Sequence, residues 1–290
     1  MQLQNFIKSK TNLPSKGIEN TIKLLNEDCT IPFISRYRKE LTGNLDEVEI
    51  GEIVKYKSQF EELEKRKATI LKALEKQEVL SSELKQKIEA TTDLTVLEDI
   101  YLPFKKKRKT KAETARKNGL ESLAKMIMSQ RVNDLEYTAS KYINNEVETK
   151  EAALEGARFI IAEWINERTD IRNNIRYQIE RFGTINTKEL KKEEATEKAQ
   201  KFRDYFDWSE SLNRIPSHRL LAILRAEKEG FIRVKIEIDN ERALTKIEDR
   251  IISSKNECSK QISLAIEDSY KRLLLPSLAN DAMSIAKEKA

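Results

Sequence analysis

A dense run of basic side chains carries the clearest chemistry in this sequence. Between Leu102 and Arg131 stand ten Lys or Arg and two Glu, a local net charge of +8 in a chain whose total is +5. Five of these cations, Lys105 to Lys109, are consecutive, and Lys111 follows closely. Ammonium and guanidinium groups bind phosphate oxygens, and such focused charge attracts polyanions. The run therefore predicts either a phosphate-binding surface or a solvated loop, and the charge pattern alone favours neither.

Residue types that serve catalysis are sparse by comparison. His218 is the one histidine, and its place between Ser217 and Arg219 predicts a packing or helix-capping role. Cys29 and Cys258 are far apart and form no CxxC pair, so we expect neither a thiolate metal site nor a disulfide. The scattered glycines form no GxGxxG motif or phosphate-binding loop. We therefore predict no catalytic residues, no metal, no cofactor and no small-molecule substrate, and a protein that is not an enzyme.

The composition indicates which elements position the basic run. Charged residues make up 36% of the chain, Gly and Pro number 7 and 5, and Lys, Glu, Leu, Ile and Ala dominate. This balance is typical of amphipathic helices, so the sequence predicts a mainly α fold, a multi-helix array. The first residues lack the apolar core of a signal peptide, and no run approaches the roughly 18 apolar residues that a membrane span needs. We therefore expect a soluble, cytoplasmic protein without a membrane partner.

The first 45 residues predict a segment that resembles a helix-turn-helix. Apolar residues at helical spacing mark one face of a first helix: Ile18, Ile22 and Leu25. A second helix begins after Thr30, which suits the N-cap position, and ends near Leu41, which we place on its apolar face. This segment, 1–45, is the first of four predicted divisions of the chain.

The second of these helices carries cations with the chemistry to contact nucleic acid. Arg36, Arg38 and Lys39 lie along it, and phosphate oxygens are natural partners of such groups. Pro32 and Phe33 predict that its first turn is buried, which disfavours insertion of the helix into a DNA groove. We therefore expect contacts to phosphates rather than to base edges.

The second division, 46–130, predicts a long helical hairpin followed by the basic loop. From residue 46 to about 77 apolar residues recur at spacings of three and four, interrupted at Lys67. A shorter helix then turns back against this long amphipathic helix. After the basic run, Thr110 and Glu113 predict a capping box that starts a new helix. The basic side chains are thus placed in a loop and at a helix start.

The third and fourth divisions, 131–255 and 256–290, continue the helical pattern around one strand. A helical core is followed by a helix for which we predict Ser217 as the N-cap. Residues 231–238 alternate apolar and charged side chains, which predicts a small β element whose partner either is a short hairpin strand or lies outside the chain. The last division starts a long helix, in which Pro276 predicts a kink or restart.

Several blocks of sequence resemble one known family, in family order and across nearly the whole chain. The blocks read LLNEDCTIPFISRYRKELTGNLDEVEI, LEDIYLPFKKKRKTKAETARKNGLESLA, ALEGAR, KFRDYFDWSE and IPSHRLLAILRAEKEGFIRVKIE. They begin at Leu24, Leu97, Ala153, Lys201 and Ile215. On these motifs the chain closely resembles the amino-terminal, helix-rich region of the Tex family of transcription accessory proteins.

The resemblance implies an architecture that extends beyond these residues. In the family the amino-terminal region is followed by a ribonuclease-H-like YqgF domain, helix-hairpin-helix motifs and a carboxy-terminal OB-fold domain to which RNA binding is attributed. The final LLLPSLANDAMSIAKEKA of this sequence is similar to the family segment just before the YqgF domain. The resemblance therefore implies a fragment truncated before that domain, with nucleic acid, and RNA polymerase or other transcription machinery, as partners.

Residues and resemblance together predict a non-catalytic helical module with an auxiliary, sequence-nonspecific surface for DNA or RNA. The candidate contacts are Arg36, Arg38, Lys39, Lys105, Lys106, Lys107, Arg108, Lys109 and Lys111. Contacts of this kind go to phosphates, so the affinity would fall steeply with salt. The alternative is a protein-interaction scaffold that docks the carboxy-terminal domains or the transcription machinery. In that case the basic run only solvates a loop or pairs with acidic neighbours.

Overall fold

The fold is mainly α-helical, as predicted, with one small sheet. The computed structural model describes residues 2–105, 110–190 and 197–290, except the side chains of residues 197 and 198. The chain divides into two compact units, Met1–Phe104 and Lys105–Ala290, which we call unit 1 and unit 2. The finer division into four segments stays a prediction. Within the described ranges, no helix has both the length and the apolar character needed to cross a bilayer.

Unit 1 is built from short helices packed against one long helix. Its elements are α1 (Leu3–Lys10), α2 (Ser15–Asn26), α3 (Ile31–Tyr37), α4 (Lys39–Thr42), α5 (Glu47–Lys76), α6 (Ser82–Ala90), α7 (Leu94–Tyr101) and a 3-10 turn, Leu102–Phe104. Helices α1, α2 and α3 all contact α5, around a core that includes Phe6, Ile18, Ile34 and Ile53. Helices as short as α3 and α4 are marginal alone, so burial of these apolar side chains stabilises them.

The long amphipathic helix predicted from residue 46 is α5. The Asp46 carboxylate accepts a hydrogen bond from the Glu49 backbone N–H, and the Glu49 carboxylate accepts one from the Asp46 N–H, a complete capping box. Lys67, which interrupts the apolar pattern, is buried. Its Nζ donates to Glu64 Oε1 at 2.9 Å and to the Glu89 carbonyl at 3.0 Å. The ammonium is thereby satisfied where it is buried, and it joins α5 to α6.

The second helix of the predicted helix-turn-helix segment is shorter than expected. Helix α3 ends at Tyr37, because Arg38 has a non-helical backbone with φ −129° and ψ 22°, and α4 ends before Gly43 at φ 74°. The break rotates Leu41 away from the core. Leu41 is 51% exposed, so its predicted place on an apolar face was wrong. Thr30 occupies the predicted N-cap position, although its side chain forms no capping hydrogen bond with a described residue.

Unit 2 is a helical array that includes the sheet. Its helices are α8 (Lys111–Lys117), α9 (Glu121–Ser129), α10 (Leu135–Ser140), α11 (Lys150–Glu167), α12 (Thr169–Phe182), α13 (Glu197–Gln200), α14 (Ser217–Lys228), α15 (Asn240–Ile251), α16 (Glu257–Ser269) and α17 (Leu275–Lys289). Its strands are β1 (Thr184–Glu189), β2 (Ser209–Ser211) and β3 (Ile232–Glu237). Helix α11 packs against α8, α9 and α16 and so forms the centre of the main core.

The start of α14 differs from the prediction. The helix begins at Ser217 itself, so Ser217 is not the N-cap. Pro216 takes the N-cap position instead, with an extended backbone at φ −66° and ψ 145°. A proline fits there because its missing N–H would have no partner inside the helix.

Close packing of α11 on its neighbours depends on Gly156. A Cβ at this position would lie 2.3 Å from Leu120 Cδ1 and 3.4 Å from Ala115 Cβ. Leu120 is 2% exposed and is surrounded by the main core, which is packed too densely to let it move freely. Gly156, the glycine of the ALEGAR block, therefore permits the close approach of α11 and the segment that carries Leu120.

We predict that Gly156→Ala lowers the free energy of unfolding of unit 2 by about 1–2 kcal/mol, because overpacking outweighs the roughly 1 kcal/mol that alanine contributes as the better helix former. Urea unfolding followed by tryptophan fluorescence measures this, since Trp164 and Trp208 both lie in unit 2. The control is Gly51→Ala in α5 of unit 1, where a Cβ meets no described atom within 4 Å and should raise stability; its unfolding is followed by circular dichroism, because both tryptophans lie in unit 2. A Gly156→Ala variant as stable as the parent would contradict the packing argument.

The sheet supplies the partner that the predicted strand required. It is antiparallel with the order β2-β1-β3, so the strand predicted near 231–238 pairs with β1 of the same chain. Sequence reasoning missed β1 because Ile185 is the one apolar residue in TINTKE. The other buried side chain of β1 is Thr187, whose Oγ1 donates to the Tyr205 carbonyl at 2.5 Å. A hydrogen-bonded threonine on the buried face removes the apolar alternation that marks a strand.

Helices α16 and α17 are joined by a π-helical segment, Tyr270–Leu274. Helix α17 then starts at Leu275 with Pro276 in its first turn, in agreement with the predicted restart. A proline removes one helical hydrogen bond and crowds the preceding turn, and the wider π turn accommodates this. Tyr270 is 1% exposed, and its Oη donates to Asn240 Oδ1 at 2.7 Å. The π segment is thereby tied to α15.

Burial raises the pKa of Tyr270 to about 12, with a smaller contribution from the negative charge of Asp239. The ordinary value is about 10, so the fold favours the neutral phenol, and this stabilisation is complete below pH 10 and is lost as the pH rises toward 12. We predict a loss of about 2 kcal/mol at pH 12 that Tyr270→Phe does not show. Urea unfolding of both proteins across this range measures it. If the free energy of unfolding of the two proteins changed with pH in parallel, the prediction would be contradicted.

Candidate nucleic-acid interface

The nine cations predicted from the sequence fall in both units. Arg36, Arg38 and Lys39 lie at the end of α3 and the start of α4 in unit 1, and all three are exposed. Lys105 and Lys111 lie in unit 2 and are also exposed. The other four lie outside the described residues: Lys106, Lys107, Arg108 and Lys109. The described cations therefore form two groups, one in each unit.

In unit 2, Lys111 and a second cation share one aromatic ring. The Lys111 Nζ lies 4.5 Å from the centroid of the Phe159 ring, and Arg272 Cζ lies 5.7 Å from the same centroid. A cation over a ring face is held electrostatically by about 0.5–1 kcal/mol at exposed sites. Hydrogen bonds to Asp268 raise the pKa of Arg272. Phe159 on α11 therefore contacts two cations, of which Arg272 is paired with Asp268 and Lys111 forms no ion pair with a described residue.

Glu163 anchors the chain directly after the basic run. Its carboxylate is 7% exposed and accepts hydrogen bonds from Thr110 Oγ1 and Arg116 Nη1, both at 2.8 Å. Thr110 Oγ1 also accepts from the Glu113 N–H at 3.0 Å, the Thr110 half of the predicted capping box. Hydrogen bonds to charged groups contribute about 1.5–3 kcal/mol each. The Glu163 contacts thus fix α8, which begins at Lys111, on α11.

The cations that follow the basic run in the sequence differ in whether they form ion pairs. Lys125 Nζ lies 2.9 Å from Glu121 Oε1, and this hydrogen bond lowers the pKa of the Glu121 carboxyl. Lys117 and Arg131 are exposed and form no ion pair with a described residue, and the same holds for Lys111. The unpaired, exposed cations are the ones available to an external anion.

In unit 1 the cations are accompanied by exposed aromatic rings that sequence reasoning did not identify. Phe33 is 38% exposed, Tyr37 is 70% exposed and Pro32 is exposed as well, so the predicted burial of the first turn of α3 was wrong for Pro32 and Phe33. Their ring centroids lie 5.4 Å apart, and Arg38 Cζ lies 5.4 Å from the Phe33 centroid. The spacing of Phe33 and Tyr37, four residues apart on one helix, was the available signal. Aromatic and basic groups together can bind either nucleobases or a protein surface.

The residues considered for catalysis are separated in the structure. His218 is exposed in the first turn of α14, Cys29 is half-buried in unit 1, and Cys258 is buried in unit 2. Burial raises the pKa of the Cys258 thiol. The described residues contain no group of three or more His, Cys, Asp or Glu placed to hold a metal ion.

Comparison with known families identifies the chain. The family of Tex-like protein N-terminal domains matches residues 1–75, and the family described as Tex central region-like matches residues 130–290. The second match covers more than half of the chain. The chain belongs to the Tex family. The basic run lies in the segment between the two matched Tex regions.

Tex relatives from bacteria and animals extend well beyond these residues. YdcI of Bacillus subtilis, an uncharacterized protein, is 38% identical over 99% of this chain and 40% of its own length. The transcriptional accessory protein Tex of Neisseria gonorrhoeae is 37% identical over 81% of this chain and 31% of its own. The human S1 RNA-binding domain-containing protein 1 is 28% identical over 95% of this chain and 29% of its own. The chain thus spans less than half of each of these relatives.

Proposed function

We propose that this part of a Tex-family protein is a non-catalytic module that supplies an auxiliary, sequence-nonspecific contact to nucleic acid. The observation that carries the proposal is the state of Lys105 and Lys111, which flank four further cations. Both are exposed, and neither pairs with a described carboxylate. Exposed, unpaired cations are those that displace counterions from a phosphate backbone on binding. Arg36, Arg38 and Lys39 add a smaller contact from unit 1.

The anchoring of the residues that follow the run supports a binding surface over a merely solvated loop. Thr110 and Arg116 are tied to Glu163, and Lys111 lies over Phe159. These contacts fix Thr110 and Lys111 on α11 before any ligand arrives. Less conformational entropy is then lost on binding, which favours affinity.

The names of two relatives support nucleic acid as the class of partner. The gonococcal relative is a transcriptional accessory protein, and the human relative is named for an S1 RNA-binding domain. We propose that the whole protein to which this chain corresponds acts as a transcription accessory factor. A basic helical module beside an RNA-binding domain would raise the overall affinity by binding a second stretch of the same strand, since the second contact is intramolecular.

Titration of the chain with short single- and double-stranded DNA and RNA tests the proposal. We expect binding to all of them at about 50 mM salt and a loss of at least tenfold in affinity at about 200 mM, because each phosphate contact releases counterions. No binding at low salt, or binding that ignores salt, would overturn the proposal. Discrimination between unrelated sequences of one strand type would contradict the nonspecific mode.

A second function, a protein-docking scaffold, is favoured by the apolar surface of unit 1. Tyr37, Leu41 and Val48 are 70%, 51% and 73% exposed, and Phe33 lies beside Tyr37. Exposed aromatic and aliphatic side chains of this kind are typical of interface cores. We propose the carboxy-terminal domains of a Tex protein, or RNA polymerase, as the docking partner in this alternative. Replacing Tyr37 and Leu41 with serine would weaken such docking and leave salt-dependent nucleic-acid binding unchanged.

A further inference from the structure

The outward face of the three-stranded sheet in unit 2 is entirely polar. The pairing register places Lys188 opposite Arg233, Asn186 opposite Lys235 and Thr184 opposite Glu237 on the same face of β1 and β3. Strand β2 adds Ser209 opposite Asn186 and Ser211 opposite Thr184. The opposite face carries the buried Ile185 and Ile236. One end of the outward face therefore holds three cations, and the other end holds hydroxyl groups and one carboxylate.

The cationic end contains an unfavourable pair of like charges, neither of which forms an ion pair with a described residue. Lys188 and Arg233 are directly opposed, and opposed residues in an antiparallel pair have Cβ atoms about 4.5–5.5 Å apart. Like charges at that separation destabilise the sheet. Lys188, Arg233 and Lys235 are all exposed, and none forms an ion pair with a described residue. A phosphate group placed between Lys188 and Arg233 would turn this repulsion into two attractive contacts.

Acidic groups near this face neutralise it only in part. Glu237 Oε2 accepts a hydrogen bond from Asn186 Nδ2 at 2.9 Å, which holds that carboxylate beside the centre of the face. Asp207 lines the same shallow recess of about 490 Å³ with Lys188 and Arg233. The recess therefore has three cations and two carboxylates, a local charge of +1. The positive charge is concentrated at the Lys188 end.

We propose that this sheet face is a second phosphate-binding surface, which contacts the backbone of nucleic acid through Lys188, Arg233 and Lys235. The face offers cations and side-chain hydroxyl and amide donors, the groups that commonly contact phosphate and sugar. It offers no apolar side chain among the described residues, so neither stacking of bases nor an apolar protein surface matches it. This proposal rests on the proposed function, which gives nucleic acid as the polyanion. The residues of the sheet face are nevertheless separate from the basic run.

Neutralising two of the cations tests the surface. With Arg233→Gln and Lys235→Gln combined, we expect the loss of affinity for a fluorescent oligonucleotide between about 50 and 200 mM salt to shrink by roughly tenfold, since each phosphate contact contributes about 0.9 to the salt slope on duplex DNA. The matched control is Lys246→Gln with Lys255→Gln, which removes the same charge from exposed positions of unit 2 that are not in the strands of the sheet. Equal behaviour of the two double variants would overturn the surface.

A third variant separates loss of binding from loss of structure. Lys188→Glu places a carboxylate opposite Arg233, which should keep or raise the thermal midpoint because the opposed pair becomes attractive. The same change should weaken binding at least as much as the neutral variants do. A Lys188→Glu protein that binds oligonucleotide normally would also overturn the surface, whatever its thermal midpoint.

The basic run provides the comparison that distinguishes this surface from the proposed function. If glutamates at Lys106, Lys107 and Arg108 weaken binding while the sheet variants do not, the sheet surface fails and the proposed function stands. If the sheet variants alone weaken binding, the sheet surface stands and the basic run is not the contact. If neither set changes the affinity, both fail. Protection of the sheet lysines by an acidic protein but not by an oligonucleotide would also overturn the surface.

Discussion

Replacing Gln130 with alanine is expected to lower the free energy of unfolding of unit 2 by about 3 kcal/mol, because the variant loses several hydrogen bonds and leaves the Ile251 carbonyl without its buried partner. Gln130 Nε2 donates to the Ile251 carbonyl at 2.8 Å, and its Oε1 accepts from the Ser253 and Ser254 N–H groups at 2.9 and 3.1 Å. Gln130 is 8% exposed. The side-chain amide of Gln130 thus provides hydrogen-bond partners for backbone groups at the end of α15 and in the segment between α15 and α16.

Two further variants separate the contributions at this position. Gln130 directly follows α9 with φ 57°, a left-handed conformation that costs most residues about 1 kcal/mol but costs glycine little. Gln130→Gly should therefore be about 1 kcal/mol more stable than Gln130→Ala. Ser129→Ala is the neighbouring control, since Ser129 is exposed and its Oγ donates only locally, to the Met126 carbonyl. Urea unfolding monitored by tryptophan fluorescence measures all three, and a Gln130→Ala loss no larger than that of Ser129→Ala would contradict the prediction.

Reversing the charge of Lys106, Lys107 and Arg108 to glutamate is expected to weaken binding to DNA and RNA about 100-fold at about 50 mM salt, because three phosphate contacts are lost together and repulsion replaces them. The slope of log affinity against log salt should become shallower by about 2 to 3. Fluorescence anisotropy across a salt series measures both quantities.

The control for this reversal is a variant with the same net charge as the variant of the basic run. Lys228, Lys246 and Lys255 are exposed in unit 2, and their combined change to glutamate alters the net charge by the same amount. If this control weakens binding equally, the net charge of unit 2 and not the basic run determines affinity. Loss of docking to RNA polymerase with unchanged oligonucleotide binding would instead support the scaffold alternative.

Sequence patterns predicted those parts of the fold that depend on local interactions. Helix α5 was evident because its apolar residues recur at helical spacing, and Thr110 marked the start of α8, where its Oγ1 accepts from the Glu113 N–H at 3.0 Å. Pro276 marked the restart of the helix as α17, where it lies in the first turn. Spacing and capping act within a few residues, so they can be read without knowledge of the tertiary structure.

Features that depend on distant residues could not be predicted in the same way. Gln130 bonds to groups more than 120 positions away, and Glu163 binds Thr110 and Arg116 across about 50 positions. Nothing in the spacing of such polar residues distinguishes a buried anchor from a solvated side chain. The cationic face of the sheet was missed for the same reason, since the opposition of Lys188 and Arg233 exists only once β1 and β3 pair.

Exposure of apolar residues was also beyond local reasoning. Leu41 fits a helical face by its spacing, but the break of the helix at Arg38 turns it toward solvent. Phe33 has the character of a core residue and is instead 38% exposed beside Tyr37. Exposed apolar residues of this kind can form an interaction surface, whereas buried ones form a core. The spacing of apolar positions in the sequence does not distinguish the two.

Lysine footprinting tests whether the basic run is the contact to nucleic acid. The chain is acetylated with and without a saturating oligonucleotide at low salt, and mass spectrometry reports the rate at each lysine. We expect the oligonucleotide to protect Lys105 and Lys111 and the lysines between them, while Lys246 and Lys255 react at unchanged rates. Protection that is absent from this run, or that appears equally at the control lysines, would contradict the assignment of the basic run as the nucleic-acid contact.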